Sequence, residues 1–296
     1  MSLVHFVERP AIRACFNRVH VRPGLACADA DLDGRQPVRP LSTRYTLIGT
    51  AFDYLARFKT AHALGSRNGS GGAVDVIDGV WIAERSVEAM RNRPEFAEHH
   101  ETCRRRLDNI RRAVGAYVGG DATRLREAAA GAQWLAHVDT LHRTGELRNP
   151  DARLDVRVHD ELLALADAFE PERLFAGAHR ILLNPTYAEA SRVGGADPDL
   201  VVDDGIVDIK TTTKLRVDPA HLRQLAGYAA MQLLGGIRLP DGGLHDAPAA
   251  WIGIYFARHG LLQRWRLEDV LPSRAFEQFY AAFQSEMDAL ALAKAA

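Results

Sequence analysis

The chain has 296 residues, 47% hydrophobic and 25% charged, with a formal net charge of −1. That balance suits a globular protein of one large or two modest domains and excludes a polycation that holds nucleic acid by bulk charge. Three scattered cysteines (Cys15, Cys27, Cys103) exclude a disulfide framework or paired-cysteine zinc site, and no uncharged apolar run approaches the roughly 18 residues of a membrane helix. The N-terminus, MSLVHFVERPAIR, places charges where a signal peptide needs an apolar run, so a cytoplasmic protein without membrane contact is expected.

Residues 1–43 are rich in Arg, Pro, Asp and Gly and read as an N-terminal arm that packs on something larger. Residues 44–175 read as a mostly helical region. Its first helix, 44–62, repeats Leu47, Phe52, Leu55 and Phe58 at helical spacing. A flexible loop is expected at 66–72, SRNGSGG, with later breaks at Gly119-Gly120 and Asn149-Pro150. Residues 176–296 have a different texture. HRILLNP reads as a strand or a helix end, ADPDLVV and GIVDIKTTT as strands, with Asp204-Gly205 as the turn between them. Asp218-Pro219 is a helix start and Gly235-Gly236 its stop. A second hairpin is expected around His259-Gly260, and an amphipathic helix closes the chain.

The stretch GGADPDLVVDDGIVDIKTTTK places unlike residues on the two faces of one hairpin. With Asp204-Gly205 as the turn, Asp199 falls opposite Lys210, and Asp197, Asp199, Asp208 and Lys210 share a face. Leu200, Val202, Val207 and Ile209 form the other, apolar face, which fixes the register. Carboxylates that converge on one spot repel one another unless a cation sits between them, and hard ions such as Mg²⁺ or Mn²⁺ take oxygen ligands in that way. A bare D-x-K is most often a salt-bridged surface hairpin. The matching Pro198-Asp199, the apolar back and the following helix lift this one above that background. On that helix Gln224 and Tyr228 stand four apart on one face, with Arg223 beside them, while Leu222, Leu225, Ala229 and Leu233 form a core stripe.

Pro198-Asp199, Asp208-Ile-Lys210 and Gln224-x-x-x-Tyr228 together resemble the core of the PD-(D/E)XK nuclease superfamily, in its RecB-like and phage exonuclease-like branch. The resemblance covers about residues 190–260 and one upstream helix. It implies an α/β, restriction endonuclease-like core, a central mixed sheet flanked by helices, with residues 73–175 as a large helical insertion. It implies a Mg²⁺- or Mn²⁺-dependent nuclease acting on DNA, with RNA left open. Asp199 and Asp208 would hold the metal, with the Ile209 carbonyl as a further ligand and Lys210 as the catalytic lysine. Gln224 and Tyr228 would face the site or the nucleic-acid backbone. Asp197 competes with Asp199 for the first ligand place, the choice depending on whether the hairpin carries a bulge. A further acid is expected from Asp53, which stands where the family carries Glu, or from Glu189. Two alternatives from other classes stand beside this reading: a non-catalytic binding module on the same fold, and a subunit active only with a protein partner such as a helicase or sensor.

Arg104, Arg105 and Arg111 lie on a basic stripe of the kind that contacts phosphates, and with Arg223 they form the expected nucleic-acid contacts. The same stripe reads equally well as a solvated helix face offset by Glu101 and Asp108. His99, His100, Glu101 and Cys103 point to different faces of one helix, and His137 and His142 are five apart, so neither set chelates well. The sequence holds no Walker loop, nucleophile elbow or zinc-finger spacing.

Overall fold

The computed structural model describes residues 2–21, 23, 37–65, 73–75, 80–147, 149–239 and 242–295. Cys27 and the loop expected at 66–72 lie outside them. Among the described residues the fold is α/β, a six-stranded mixed sheet covered by helices on both faces.

The start of the chain is more ordered than an arm. Two helices, α1 (Leu3–Phe6) and α2 (Pro10–Val19), are pinned by Pro10 at a helix start and by buried Leu3, Phe6, Ile12 and Phe16. Helix α3 (Tyr45–Gly65) follows and buries Ile48, Phe52, Leu55 and Phe58. The helical region also contributes a strand, β1 (Ala73–Asp75), in a stretch expected to be helical. Then come α4 (Trp81–Arg91), α5 (Ala97–Val118), α6 (Leu125–Thr144), α7 (Val156–Ala168) and α8 (Pro171–Leu174). The α4–α5 break carries Pro94, which cannot continue a helix. These helices pack on α3 and on the sheet face formed by Ile181, Leu183, Leu200, Val202, Val207, Ile209 and Tyr255.

The strands β2 (Arg180–Leu183), β3 (Leu200–Val202), β4 (Gly205–Lys210), β7 (Trp251–Phe256) and β8 (Leu261–Arg266) complete the sheet, in the order β1-β2-β3-β4-β7-β8. The pairs β1–β2 and β4–β7 are parallel and the others antiparallel. A short helix α9 (Ala190–Val193) precedes β3. Helix α10 (Pro219–Gly235) carries the chain from β4 across to β7, and a separate ribbon, β5 (Ile237–Arg238) with β6 (Leu244–His245), lies between α10 and β7. After β8 the chain ends in α11 (Leu267–Val270) and α12 (Ser273–Ala295). On this second face Leu182, Val201, Ile206, Ile252, Ile254 and Phe256 pack with α1, α2, α10 and α12.

Two sequence expectations are corrected here. The β3–β4 turn is Asp203-Asp204, not Asp204-Gly205, because the ladder pairs Leu200 with Val207, Val201 with Ile206 and Val202 with Gly205. Gly205 belongs to the strand because it lies against Trp251, whose ring would stand 1.8 Å from an added Cβ. Asp203 takes the turn at φ 52°, and its carboxylate accepts the His179 and Arg180 amides at 2.9 and 2.8 Å. The second correction concerns α10, which is sandwiched between sheet and helices. It is buried on several sides, while Leu233, expected in the core stripe, is exposed. No described helix is long and apolar enough to cross a membrane.

Candidate active site

The shift of the turn moves the hairpin register by two residues. An even shift keeps every side chain on its expected face but changes its neighbour. Continuing the observed ladder sets Asp199 beside Asp208, where the sequence reading had set it beside Lys210. The ladder runs without a bulge from Leu200–Val207 to Val202–Gly205. Asp199 Oδ2 accepts the Ile209 amide at 2.6 Å, which fixes its carboxylate against the β4 strand. Burial first, then the Asp208 charge, push the Asp199 pKa up to about 6. Asp197 lies close by, but its Oδ1 accepts the Thr186 hydroxyl at 2.6 Å.

The front of the hairpin is not open to solvent. Asp208 is only 3% exposed, because α10 lies across it. Gln224 Nε2 donates to Asp208 Oδ1 at 3.0 Å and to the Tyr228 hydroxyl at 3.4 Å. Lys210 Nζ stands 2.6 Å from Asp208 Oδ2 as an ion pair and donates to Gln224 Oε1 at 3.3 Å. The Tyr228 hydroxyl donates to the Asp197 carbonyl at 3.0 Å, so α10 grips both sides of the hairpin. Burial works to lower the Lys210 pKa, but Asp208 and then Asp199 and Asp53 outweigh it and hold the ammonium above its ordinary value. Tyr228 is held well above the phenol range by burial and then by Asp199 and Asp208, so it stays a neutral donor.

Helix α3 supplies the opposite wall. Gly49 approaches the Thr211 hydroxyl, at 3.4 Å from an added Cβ. One turn on, Asp53 is near enough to raise the Lys210 pKa, and after another turn Arg57 is near enough to oppose the rise at Asp199. Arg57 was missed from the sequence, although Gly49, Asp53 and Arg57 form a stripe at fours facing one way. His221 was also missed. It stands three residues before Gln224 and seven before Tyr228, on their face of α10. Its pKa is lowered by burial and then by Lys210.

Other expected site residues are placed elsewhere. The Glu189 side chain lies against Gly235, which is about 10 Å along α10 from Tyr228 at 1.5 Å per residue, so Glu189 does not complete the site. Arg223 is 4% exposed and turned toward α1 and α2, where it pairs with Glu8 and lies over the Phe16 ring. Adjacent helix residues diverge by about 100°, so Gln224 facing the site sends Arg223 away from it. Arg104 pairs with Glu88 at 3.8 Å, Arg105 with Glu101 at 3.7 Å, and Arg111 with Glu84, so the basic stripe is offset by glutamates along its length. His99 bridges Glu98 and Asp151, and Cys103 is buried with its thiol pushed up to about 11 by burial.

The donor set suits a hard cation. Among the described residues no three His, Cys, Asp or Glu are gathered as a metal site. Two carboxylates and a backbone carbonyl are nevertheless all-oxygen donors, and Mg²⁺ is commonly held by one or two carboxylates with water and phosphate completing its sphere. The Asp199 pKa is raised by burial first and then by the neighbouring Asp208 charge, and a cation between the two carboxylates would relieve that second cause. No family model, curated protein or solved structure matches the chain.

Proposed function

We propose that the chain is a Mg²⁺- or Mn²⁺-dependent nuclease, with a restriction endonuclease-like core, that hydrolyses phosphodiester bonds in DNA. The observation that carries this reading is the single hydrogen-bonded group of Asp208, Lys210, Gln224 and Tyr228 at the end of β4, with Asp199 fixed beside it on the Ile209 amide. Asp199, Asp208 and the Ile209 carbonyl would hold the metal. When bound, the metal would polarise the phosphodiester and lower the pKa of a water molecule. Lys210, kept charged, orients the attacking water and offsets charge that builds on the phosphate oxygens. Gln224 holds Asp208 and Lys210 in mutual register. Tyr228 anchors the hairpin through the Asp197 carbonyl, and Asp53 and Arg57 set the local charge from the α3 side.

The test is cleavage of linear, circular and single-stranded DNA, and of RNA, by the full chain with Mg²⁺, Mn²⁺ or EDTA. The expected result is metal-dependent cleavage that falls about 100-fold or more in Asp208→Asn and Lys210→Ala proteins. Cleavage by both variants at the wild-type rate with Mn²⁺ would overturn the reading.

A second reading is favoured by one feature, the closure of Lys210 and Gln224 over both Asp208 oxygens. On that reading the chain binds nucleic acid or protein without cutting, or cuts only when a helicase or sensor partner opens the pair. Calorimetric Mn²⁺ titration separates the two: a nuclease active alone binds the ion and loses that binding in Asp208→Asn.

A further inference from the structure

We propose that a second pocket, at the N-terminus of α3, binds the phosphate of a nucleotide. The cavity has a volume of about 330 Å³ and is lined by residues from two distant segments, among them Arg44, Tyr45, Thr46, Thr50, His137 and Thr140. None of its lining residues is acidic. The first-turn amides of a helix have no intrahelical acceptor and carry the positive end of the helix dipole, and α3 is 21 residues long. The Thr46 and Thr50 hydroxyls add donors of the kind that hold phosphate oxygens, and the half-exposed Arg44 guanidinium, one nitrogen of which reaches Asp155 at 3.5 Å, adds charge.

The independent observation is His137. It comes from α6, is 7% exposed, lines this cavity, and its Nε2 has no hydrogen-bond partner among the described residues. A buried imidazole nitrogen without a partner costs about 1–3 kcal/mol, so a group that satisfies it upon binding gains that much in return. Burial, then Arg44 and Arg106, lower the His137 pKa, so the ring is a neutral donor or acceptor rather than a fixed cation. Tyr45 is 58% exposed at the rim, with a ring face open to stack on a base. A larger cavity at the start of α10, about 550 Å³, contains Arg13 and Arg223 but also Glu8, which already pairs with Arg223. The α3 pocket has no acidic residue in its own lining, and the carboxylate that pairs with Arg44, Asp155 at 3.5 Å, stands outside it.

None of the pocket's lining residues belongs to the Asp199–Asp208 site; along the shared helix Thr46 is seven residues from Asp53 and Thr50 three, about 10 Å and about 4.5 Å. The phosphate that fits it could belong to a free mononucleotide or to the end of a strand, and the chemistry is shared.

The test uses the full-length chain in EDTA, which silences any metal-dependent cleavage and makes the result independent of whether the chain cuts DNA. The imidazole signals of His137 are followed by NMR during titration with inorganic phosphate, deoxyadenosine monophosphate, deoxyadenosine, and a short single-stranded oligonucleotide with and without a terminal phosphate. Saturable shifts with the phosphate-bearing probes and none with deoxyadenosine support the pocket. Equal affinity for the mononucleotide and the phosphorylated oligonucleotide identifies a free nucleotide as the source. Tighter binding of the phosphorylated oligonucleotide alone identifies a strand end. The Arg44→Gln/Thr46→Val protein, altered at two exposed positions, should bind about tenfold more weakly or worse. If no phosphate-bearing probe moves the His137 signals, or if that variant binds as well as wild type, the proposal is overturned. The wild-type titration decides alone should the variant fail to fold.

Discussion

Gln224 Nε2 donates to Asp208 Oδ1 at 3.0 Å, tying the middle of β4 to the first third of α10. The same side chain accepts from Lys210 Nζ and reaches the Tyr228 hydroxyl, so one amide organises three groups of the candidate site. Such a junction serves geometry and stability together, and the two can be measured apart.

Gln224→Ala leaves a buried carboxylate oxygen and a phenol short of a partner. It should cost about 1–3 kcal/mol in urea unfolding. Metal-dependent cleavage should fall about 10- to 100-fold through misplacement of Asp208 and Lys210. Unchanged cleavage alongside the stability loss would confine Gln224 to a structural part.

Asp199 sets a pH dependence of stability. Its folded pKa is raised to about 6, above the unfolded carboxylate value near 3.8. The folded state thus holds the proton more tightly, so the contribution is fully present below about pH 4 and is lost as pH rises through about 6. Asp199→Asn should therefore flatten the urea midpoint between pH 4 and 6 and raise it near pH 7, while abolishing the metal response. A wild-type midpoint rise with Mn²⁺ at pH 7, absent in this variant, would place the cation at this carboxylate.

The pair Arg258–Glu161 is buried at 1% and 0% side-chain exposure. Glu161 also accepts the Leu41 and Ser42 amides, and Arg258 donates to the Thr211 and Val38 carbonyls. Glu161→Ala strands a guanidinium in the interior, and a loss of about 3–5 kcal/mol is expected by chemical denaturation. A loss below about 1 kcal/mol would show that the pair is not closed in solution.

Gly227 lets α1 dock on α10. A Cβ there would come within 2.6 Å of Val7 Cγ1. Gly227→Ala should cost about 1–3 kcal/mol by overpacking and increase proteolysis of the first 20 residues, read by limited digestion. Equal digestion of variant and wild type would show that the contact gives way freely.

Much of the site was legible because side-chain parity in a strand survives an even slip of register. The turn was misplaced, yet Asp199, Asp208 and Lys210 still fell on one face. What misplaced it was local: Asp204-Gly205 has the chemistry of a hairpin turn, but Gly205 is required by contact with Trp251, some 46 positions away. Helix spacing found Gln224 and Tyr228 but gave no sign that α10 would be covered on its outer side, which buried Arg223 on Glu8. Arg57 escaped because an arginine on an apolar helix reads as solvated until a second layer closes over it. The strand Ala73–Asp75 is three residues long and gains its identity only from parallel pairing with β2.

Arg258 joins parts of the chain that no single element connects. It fastens the end of the site strand at Thr211, the segment at Val38 and, through Glu161, helix α7. Hinge motion between the sheet and its helical cover would have to part a desolvated ion pair, so the two layers should behave mechanically as one block. The amide of Val38, which donates to the Arg258 carbonyl, should then exchange with solvent only in the global opening event, despite lying outside every helix and strand.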